Sequence, residues 1–505
     1  MLNVCKALFE EWNHTGVRYC HWKSNEHLMA GLDGDTDLDV FVLLDDRETA
    51  QQILEKNLYI KFRPQKCARY PLVDEWIGFD YDTGKLVHVH LHYQIITGTK
   101  YNKEYVFPID QMIIETRVQD GETGVYITSP ELELIILYSR IALKAKNKKS
   151  IQPKKDDVRE ITYLRERVEW HKQKEVCAIL LGKYSDALFA LLEPEQLSVE
   201  QWHRVFLLVR KWLAPYRKHS ALYAKLKYKY HRYRNILISV LNSKLRKNCI
   251  TRKTLPEKGL SVCFIGADGS GKSTVSQEIM RWLNWKVEAK RFYLGSGDHY
   301  NSIAKRLLKK FSSKKAQATK DALHQPKPDA DRSHKDAVKK EKIGLKRRLM
   351  RYGHKILSSI YLKQIAVRSY RELKRAQKYV KKGAIALYDR FPQNQFEGMY
   401  DGPKIAVRAN GRKGILVSIL AHSEERAIRK AQKYQPTLMF KLLLPAEESV
   451  RRKPDHTMEE VAPKAAITAQ LVFEKSHVFD IDATQPYELE LLEIKRMIWK
   501  ELTNK

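Results

Sequence analysis

Cysteine is sparse and unpaired in spacing: Cys5, Cys20, Cys67, Cys177, Cys249 and Cys263 never form a C-x-x-C pair. That argues against a zinc knuckle or a disulfide framework and fits a reducing compartment. Long apolar runs are missing as well, since nowhere do about 18 apolar residues follow one another. Glu10 and Glu11 stand where a secretory leader would need its apolar stretch. The expected location is therefore cytoplasmic, or peripheral to a membrane. Internal repeats are absent, which excludes a solenoid. Acidic residues fall short too: 60 Asp and Glu face 92 Lys and Arg, a net charge of +32.

What is present is unevenly spread. Between Asn301 and Lys382, 26 Lys and Arg stand against 6 Asp and Glu, so a basic insertion at about 301–350 is expected in the second half. Its stretch Ser312 to Lys342 has almost no apolar periodicity and reads as a mobile loop. A second basic stretch, Leu222 to Leu241, repeats Leu222, Leu226, Tyr230, Tyr233, Leu237 and Leu241 at helical spacing with Lys and Arg between. Such a helix packs its stripe on a core, or meets an anionic membrane surface or nucleic acid.

A length of 505 residues calls for two or three domains. Residues 1–128 alternate helix and strand signals, with a strand at Leu38 to Leu44 and a hairpin of Trp76–Asp82 and Leu86–Tyr93 turning at Thr83 and Gly84. From Ser129 and Pro130 the pattern turns helical over 129–251. Residues 252–258, with Pro256, read as a linker, and 259–505 as a second α/β domain.

The most specific motif is Gly266-Ala267-Asp268-Gly269-Ser270-Gly271-Lys272-Ser273-Thr274, after the apolar run Val262 to Ile265 and before a helical pattern from Val275 to Leu283. It fits the phosphate-binding loop G-x-x-x-x-G-K-[ST]. Glycines let backbone N–H groups turn inward on a polyphosphate, Lys272 bridges its terminal oxygens, and the Ser273 hydroxyl ligates Mg²⁺. Downstream, the strand Ala384 to Tyr388 ends in Asp389-Arg390-Phe391. A carboxylate there overlooks the phosphate crevice, where Asp389 holds Mg²⁺ and Arg390 clamps an anion. A further strand, Thr437 to Leu444, leads into a helix carrying Arg451 and Arg452, which reads either as a solvated face or as a mobile cationic lid.

This set resembles the thymidylate kinase family of P-loop nucleoside monophosphate kinases, over about half of the chain. The resemblance implies ATP and Mg²⁺ as cofactors and in-line phosphoryl transfer. It also implies that Asp268 faces the acceptor, Arg390 holds the acceptor phosphate, and Arg451 and Arg452 act as lid arginines because the loop itself has none. One segment departs from the family: Phe292-Tyr293-Leu294-Gly295-Ser296-Gly297-Asp298 stands where an acceptor-binding Arg and a Pro-Gly-Gly turn belong.

In the first domain, Asp37 and Asp39 of Asp37-Leu38-Asp39-Val40 fall on one face of a strand. Two such carboxylates can share Mg²⁺ with a triphosphate. With Ser24 upstream as a phosphate-binding small residue, the run resembles the nucleotidyltransferase superfamily. Lys23 replaces the usual glycine, and His90, within His88, His90 and His92, stands where a third carboxylate is expected. Asp80 and Asp82 are candidate substitutes for that acid.

The expectation is thus an ATP- and Mg²⁺-dependent phosphotransferase acting on a nucleoside monophosphate or another phosphorylated or glycan acceptor. An active first site would make it bifunctional. Two alternatives stand beside it: a membrane-peripheral kinase of a glycan or lipid-linked precursor, and an ATP-switched nucleic-acid-binding protein.

Overall fold

The computed structural model describes residues 1–144, 153–244, 248–295, 306, 308, 335–409 and 414–504, with 335–349 traced as helical backbone. The chain divides into two compact units. One comprises residues 1–256, 286–288 and 495–505; the other comprises 257–285 and 289–494.

The first unit is built on a seven-stranded mixed sheet. Its strands are β1 (Tyr19–His21), β2 (Asp37–Val42), β3 (Ile60–Phe62), β4 (Val73–Phe79) and β5 (Leu86–His92). After the small ribbon β6 (Ile96–Thr97) and β7 (Tyr105–Val106) come β8 (Val118–Gln119) and β9 (Tyr126–Ile127). The order is β3-β4-β5-β2-β1-β9-β8. Alternation decides its two faces. Leu38, Val40 and Val42 of β2 and Val87, Val89 and Leu91 of β5 enter one core with Cys5, Leu8, Phe9 and Trp12 of the Asn3–Thr15 helix. The intervening Asp37, Asp39, His88, His90 and His92 are thereby gathered on the opposite face.

A second core of the same unit is helical. Pro130–Lys144 is buried nearly all round and packs with Trp202, Val205, Val209 and Trp212 of Val199–Trp212. The Ala221–Ser243 helix differs, because only Ala224 is buried. Its stripe does not pack on a core: Leu222, Leu226, Tyr230, Tyr233 and Leu237 are all exposed.

Of the stretch read as a linker, 252–256 is bonded into this unit and 257–258 opens the second, so the boundary falls within it. Arg63 and Thr254 exchange backbone hydrogen bonds of 2.7 and 3.0 Å. Residues 495–505 also belong here rather than to the second domain. Trp499 is fully buried, donates its indole N–H to the Leu58 carbonyl (3.1 Å) and stacks on Phe79.

The second unit holds a five-stranded, wholly parallel sheet: β10 (Ser261–Gly266), β11 (Ala289–Phe292), β12 (Ile385–Tyr388), β13 (Leu438–Leu443) and β14 (His477–Asp482), in the order β11-β12-β10-β13-β14. β10 and β12 are buried along their whole length, as strands covered on both faces must be. The α/β class expected of the chain is the one it adopts. Of the segment read as a mobile loop, 312–334 lies outside the described residues, as do Ser296, Gly297 and Asp298. From Lys335 onward the chain is instead one helix, Lys335–Val380. All six cysteines are free thiols, and no helix among the described residues is long and apolar enough to cross a membrane.

Candidate functional site

The carboxyl ends of β10, β12 and β13 gather the candidate site residues of the second unit, at the crevice where strand order reverses. β10 runs into the loop 267–271, and the helix Lys272–Leu283 starts at its end. Gly269 and Gly271 hold φ of 93° and 82°, a left-handed backbone that turns successive N–H groups toward one point. Gly266 accepts close neighbours, since a Cβ there would stand 2.3 Å from Ser270 Oγ.

Lys272 is buried and donates to the Ala267 carbonyl at 2.6 Å. Burial, and then the Arg390 guanidinium, push its ammonium down to about 8. The Ser273 hydroxyl donates to Asp389 Oδ2 (3.1 Å), while the buried Oδ1 has no hydrogen-bond partner. An orphaned carboxylate oxygen next to a loop hydroxyl is the donor set a hard divalent cation takes, so Ser273 and Asp389 fit Mg²⁺.

Asp268 lies between two cations, Lys464 Nζ at 2.6 Å and Arg390 Nη2 at 3.7 Å. Burial pushes its carboxyl up, but Lys464 above all, with Lys272 and Arg390, holds it below the ordinary range. Arg390 also faces Asp401 at 3.8 Å. Beside this group lies a cavity of about 210 Å³ lined by Leu294, Tyr361, Asp401, Lys404 and Arg408 among others.

Several contacts here come from residues outside any motif. Tyr400 accepts the Gly266 N–H (2.8 Å) and donates its hydroxyl back to the Gly266 carbonyl, while Thr468 donates to Tyr400 at 3.0 Å. Ser449 of the Ala446–Arg452 helix donates to the Asp268 carbonyl. The paired arginines of that helix are turned elsewhere. Arg451 bonds Glu448 (2.7 and 2.9 Å); Arg452 bonds Glu448 (2.9 Å) and the Ala483 carbonyl (3.0 Å). Among the described residues, Lys464 and Arg390 are the cations paired with the loop's Asp268.

In the first unit, parallel pairing sets Asp37 beside His88 and Asp39 beside His90. Antiparallel pairing on the other side of β5 sets Glu75 opposite His90. His88 links Asp37 (2.8 Å) to Glu75 (2.6 Å), and His90 links Asp39 (3.2 Å) to Glu75 (3.4 Å). Glu75 is therefore the third acid of the cluster. Asp80 and Asp82 are not, since Asp80 bonds the Thr83 turn and Asp82 bonds Asn3. Each of the three acids also has its own ammonium: Lys286 on Asp37, Lys23 on Asp39, Lys253 on Glu75.

Burial opposes charge on these carboxyls, but the histidines and lysines outweigh it and hold all three below the ordinary range. Burial pushes His92 down to about 3, so that ring is neutral. Asp39, His90 and His92 offer ligand atoms within 4.8 Å of one another. One carboxylate with two imidazoles suits a transition ion better than Mg²⁺. The expectation that Asp37, Asp39 and His90 share magnesium thus meets a cluster whose carboxylates are already neutralised, and the residues do not fit two magnesium ions. Ser24 follows Lys23 in left-handed backbone (φ 58°), its hydroxyl 3.4 Å from Arg140 Nη1.

No family model matches the chain. It is similar to two proteins of Escherichia coli K12 described as uncharacterized ATP-binding proteins. YghR is 27% identical over 236 residues, 46% of this chain and 83% of the relative. YghS is 26% identical over 228 residues, 45% and 86% respectively. Among solved structures, a thymidylate kinase from Candida albicans aligns with 49% of this chain and 94% of its own, at 13% identity and a TM-score of 0.28.

Proposed function

We propose that the second unit is an ATP-dependent phosphotransferase whose acceptor is a small phosphorylated molecule. The observation that carries this reading is the pairing of Ser273 with Asp389, whose second oxygen is buried without a partner beside Lys272. ATP-binding relatives, matched over most of their own length, support it.

The loop N–H groups and Lys272 bind the β- and γ-phosphates, and the Lys272–Leu283 helix adds the positive end of its dipole. Magnesium held by Ser273 and Asp389 would supply charge neutralisation to the same oxygens. Lys404 and Arg408 line the 210 Å³ cavity and Arg390 faces its Asp401, so an acceptor phosphate lodges there with its less polar body against Leu294 and Tyr361. Asp268, fixed by Lys464, orients the acceptor on the donor side. Arg451 and Arg452 reach the transferring group only when the Ala446–Arg452 helix gives up its Glu448 pairs, so they act in a closed state.

The first unit serves as a charge-balanced nucleotidyltransferase-like domain, which on this reading binds and does not transfer. Incubation with γ-labelled ATP and a panel of nucleoside monophosphates, sugar phosphates and lipid-linked glycans tests the main reading. Label should pass to a phosphorylated acceptor; label released only to water, or ATP left untouched with every acceptor, would sink it.

A further inference from the structure

The Ala221–Ser243 helix is amphipathic the wrong way round for a soluble domain. Its packed side joins polar contacts to the buried Ala224 and the half-buried Ile238 and Leu241. The buried Ala224 carbonyl accepts from Asn102 (2.8 Å), and Asn235 donates to the Tyr101 hydroxyl (3.1 Å). Tyr101 also meets the rings of Tyr228 and His231, and Asn242 bonds the Cys249 backbone. The apolar side faces solvent: Leu222, Tyr223, Leu226, Tyr230, Tyr233, Ile236, Leu237 and Val240 are exposed to between 40% and 68%.

At about 100° per residue these eight side chains fill one arc about 140° wide. Lys225 and Arg232 border it on one side, Lys227 and Arg234 on the other, and Lys229 sits near one edge. No Asp or Glu occurs anywhere in the helix.

We infer that this face lies on an anionic phospholipid surface, with the helix axis in the membrane plane. Leucine, isoleucine and valine enter the acyl boundary, tyrosines sit at headgroup depth, and the bordering Lys and Arg reach lipid phosphates along their own stems. Charge selects this occupant over the others. Two copies meeting through the stripe would bring two sets of cations together with no carboxylate between them, which is repulsive. A nucleic-acid backbone wants cations along its contact line, whereas here aliphatic side chains hold the centre. The inference does not depend on the kinase reading.

Flotation of the full chain tests it, with vesicles of phosphatidylcholine containing phosphatidylglycerol as the anionic minority, against vesicles of phosphatidylcholine alone. The protein should float with the first, remain behind with the second, and float less as salt is raised. Leu226→Glu with Leu237→Glu should lower the floating fraction at least tenfold. Both positions are solvent-exposed, and an unchanged circular dichroism spectrum and melting transition would show the fold kept. Lys225→Glu with Arg232→Glu, both exposed, should weaken binding while leaving the stripe in place.

Failure of the native chain to float, or equal flotation of the leucine variant, overturns the inference. So does concentration-dependent dimerisation in light scattering that the leucine variant abolishes, which would assign the face to a second copy. Displacement of the native protein from vesicles by a mixed-sequence duplex at low concentration would assign it to nucleic acid.

Discussion

Lys272 sits where burial and Arg390 oppose its charge, and an incoming triphosphate would reverse that balance by surrounding the ammonium with anionic oxygens. Below pH 8 the free protein already holds the proton, so affinity should be flat; above it, binding must take up a proton. The dissociation constant for ATP should therefore rise about tenfold per unit between about pH 8 and pH 9.5, read by calorimetry. A flat profile over that range would separate Lys272 from the phosphates. Asp389→Asn removes the negative charge of the carboxylate whose free oxygen defines the cation site, and turnover should fall about 10²- to 10³-fold with the melting transition kept. In the first unit, Glu75→Gln leaves Lys253 and two histidines facing a neutral amide in a buried site, and should cost about 3 kcal/mol in urea unfolding. The motif residues were legible because their chemistry is local in sequence. Glu75 was not: it reaches the cluster only through the register of β4 on β5. Tyr400, Ser449 and Lys464 were equally hidden, since crossovers of more than a hundred residues bring them to the loop.

At the scale of elements, β10 with its loop and the helix that follows form the unit most readable from pattern, because a buried strand, three glycines and a helix start occur in contiguous order. The loop's fit to the Ala446–Arg452 helix is tight enough to predict from geometry. A Cβ on Gly269 would lie 3.1 Å from the Ser449 carbonyl oxygen, in a backbone region that L side chains avoid. Gly269→Ala should weaken ATP binding at least tenfold, and equilibrium titration checks it. Periodicity in the Ala221–Ser243 helix revealed an apolar stripe but not its direction. That was settled by its polar residues, Asn235 and Asn242, finding partners in the domain. A repeat of leucine and tyrosine states what one face is made of; only packing tells which face is outward.

For the whole molecule, the α/β class was visible from alternating strand and helix patterns, and the main boundary falls inside the stretch 252–258, whereas the assignment of 495–505 to the first unit was not visible. Residues 495–505 read as a continuation of the second domain because one helical pattern, Tyr487–Thr503, runs through the boundary without a break. Trp499 is the anchor of this crossing segment, and Trp499→Ala should destabilise the first unit by about 3–5 kcal/mol. Differential scanning calorimetry should show that unit's transition fall while the other stays near its native temperature; equal shifts in both would show that the tryptophan serves the molecule as one block.

Placement of Trp499 also imposes an order on biosynthesis. Every strand of the parallel sheet leaves the ribosome before this tryptophan does, so the second unit can close while the first still waits with Phe79 uncovered. A nascent chain stopped short of it would keep an apolar gap where the indole belongs, a surface for chaperones and proteases to engage.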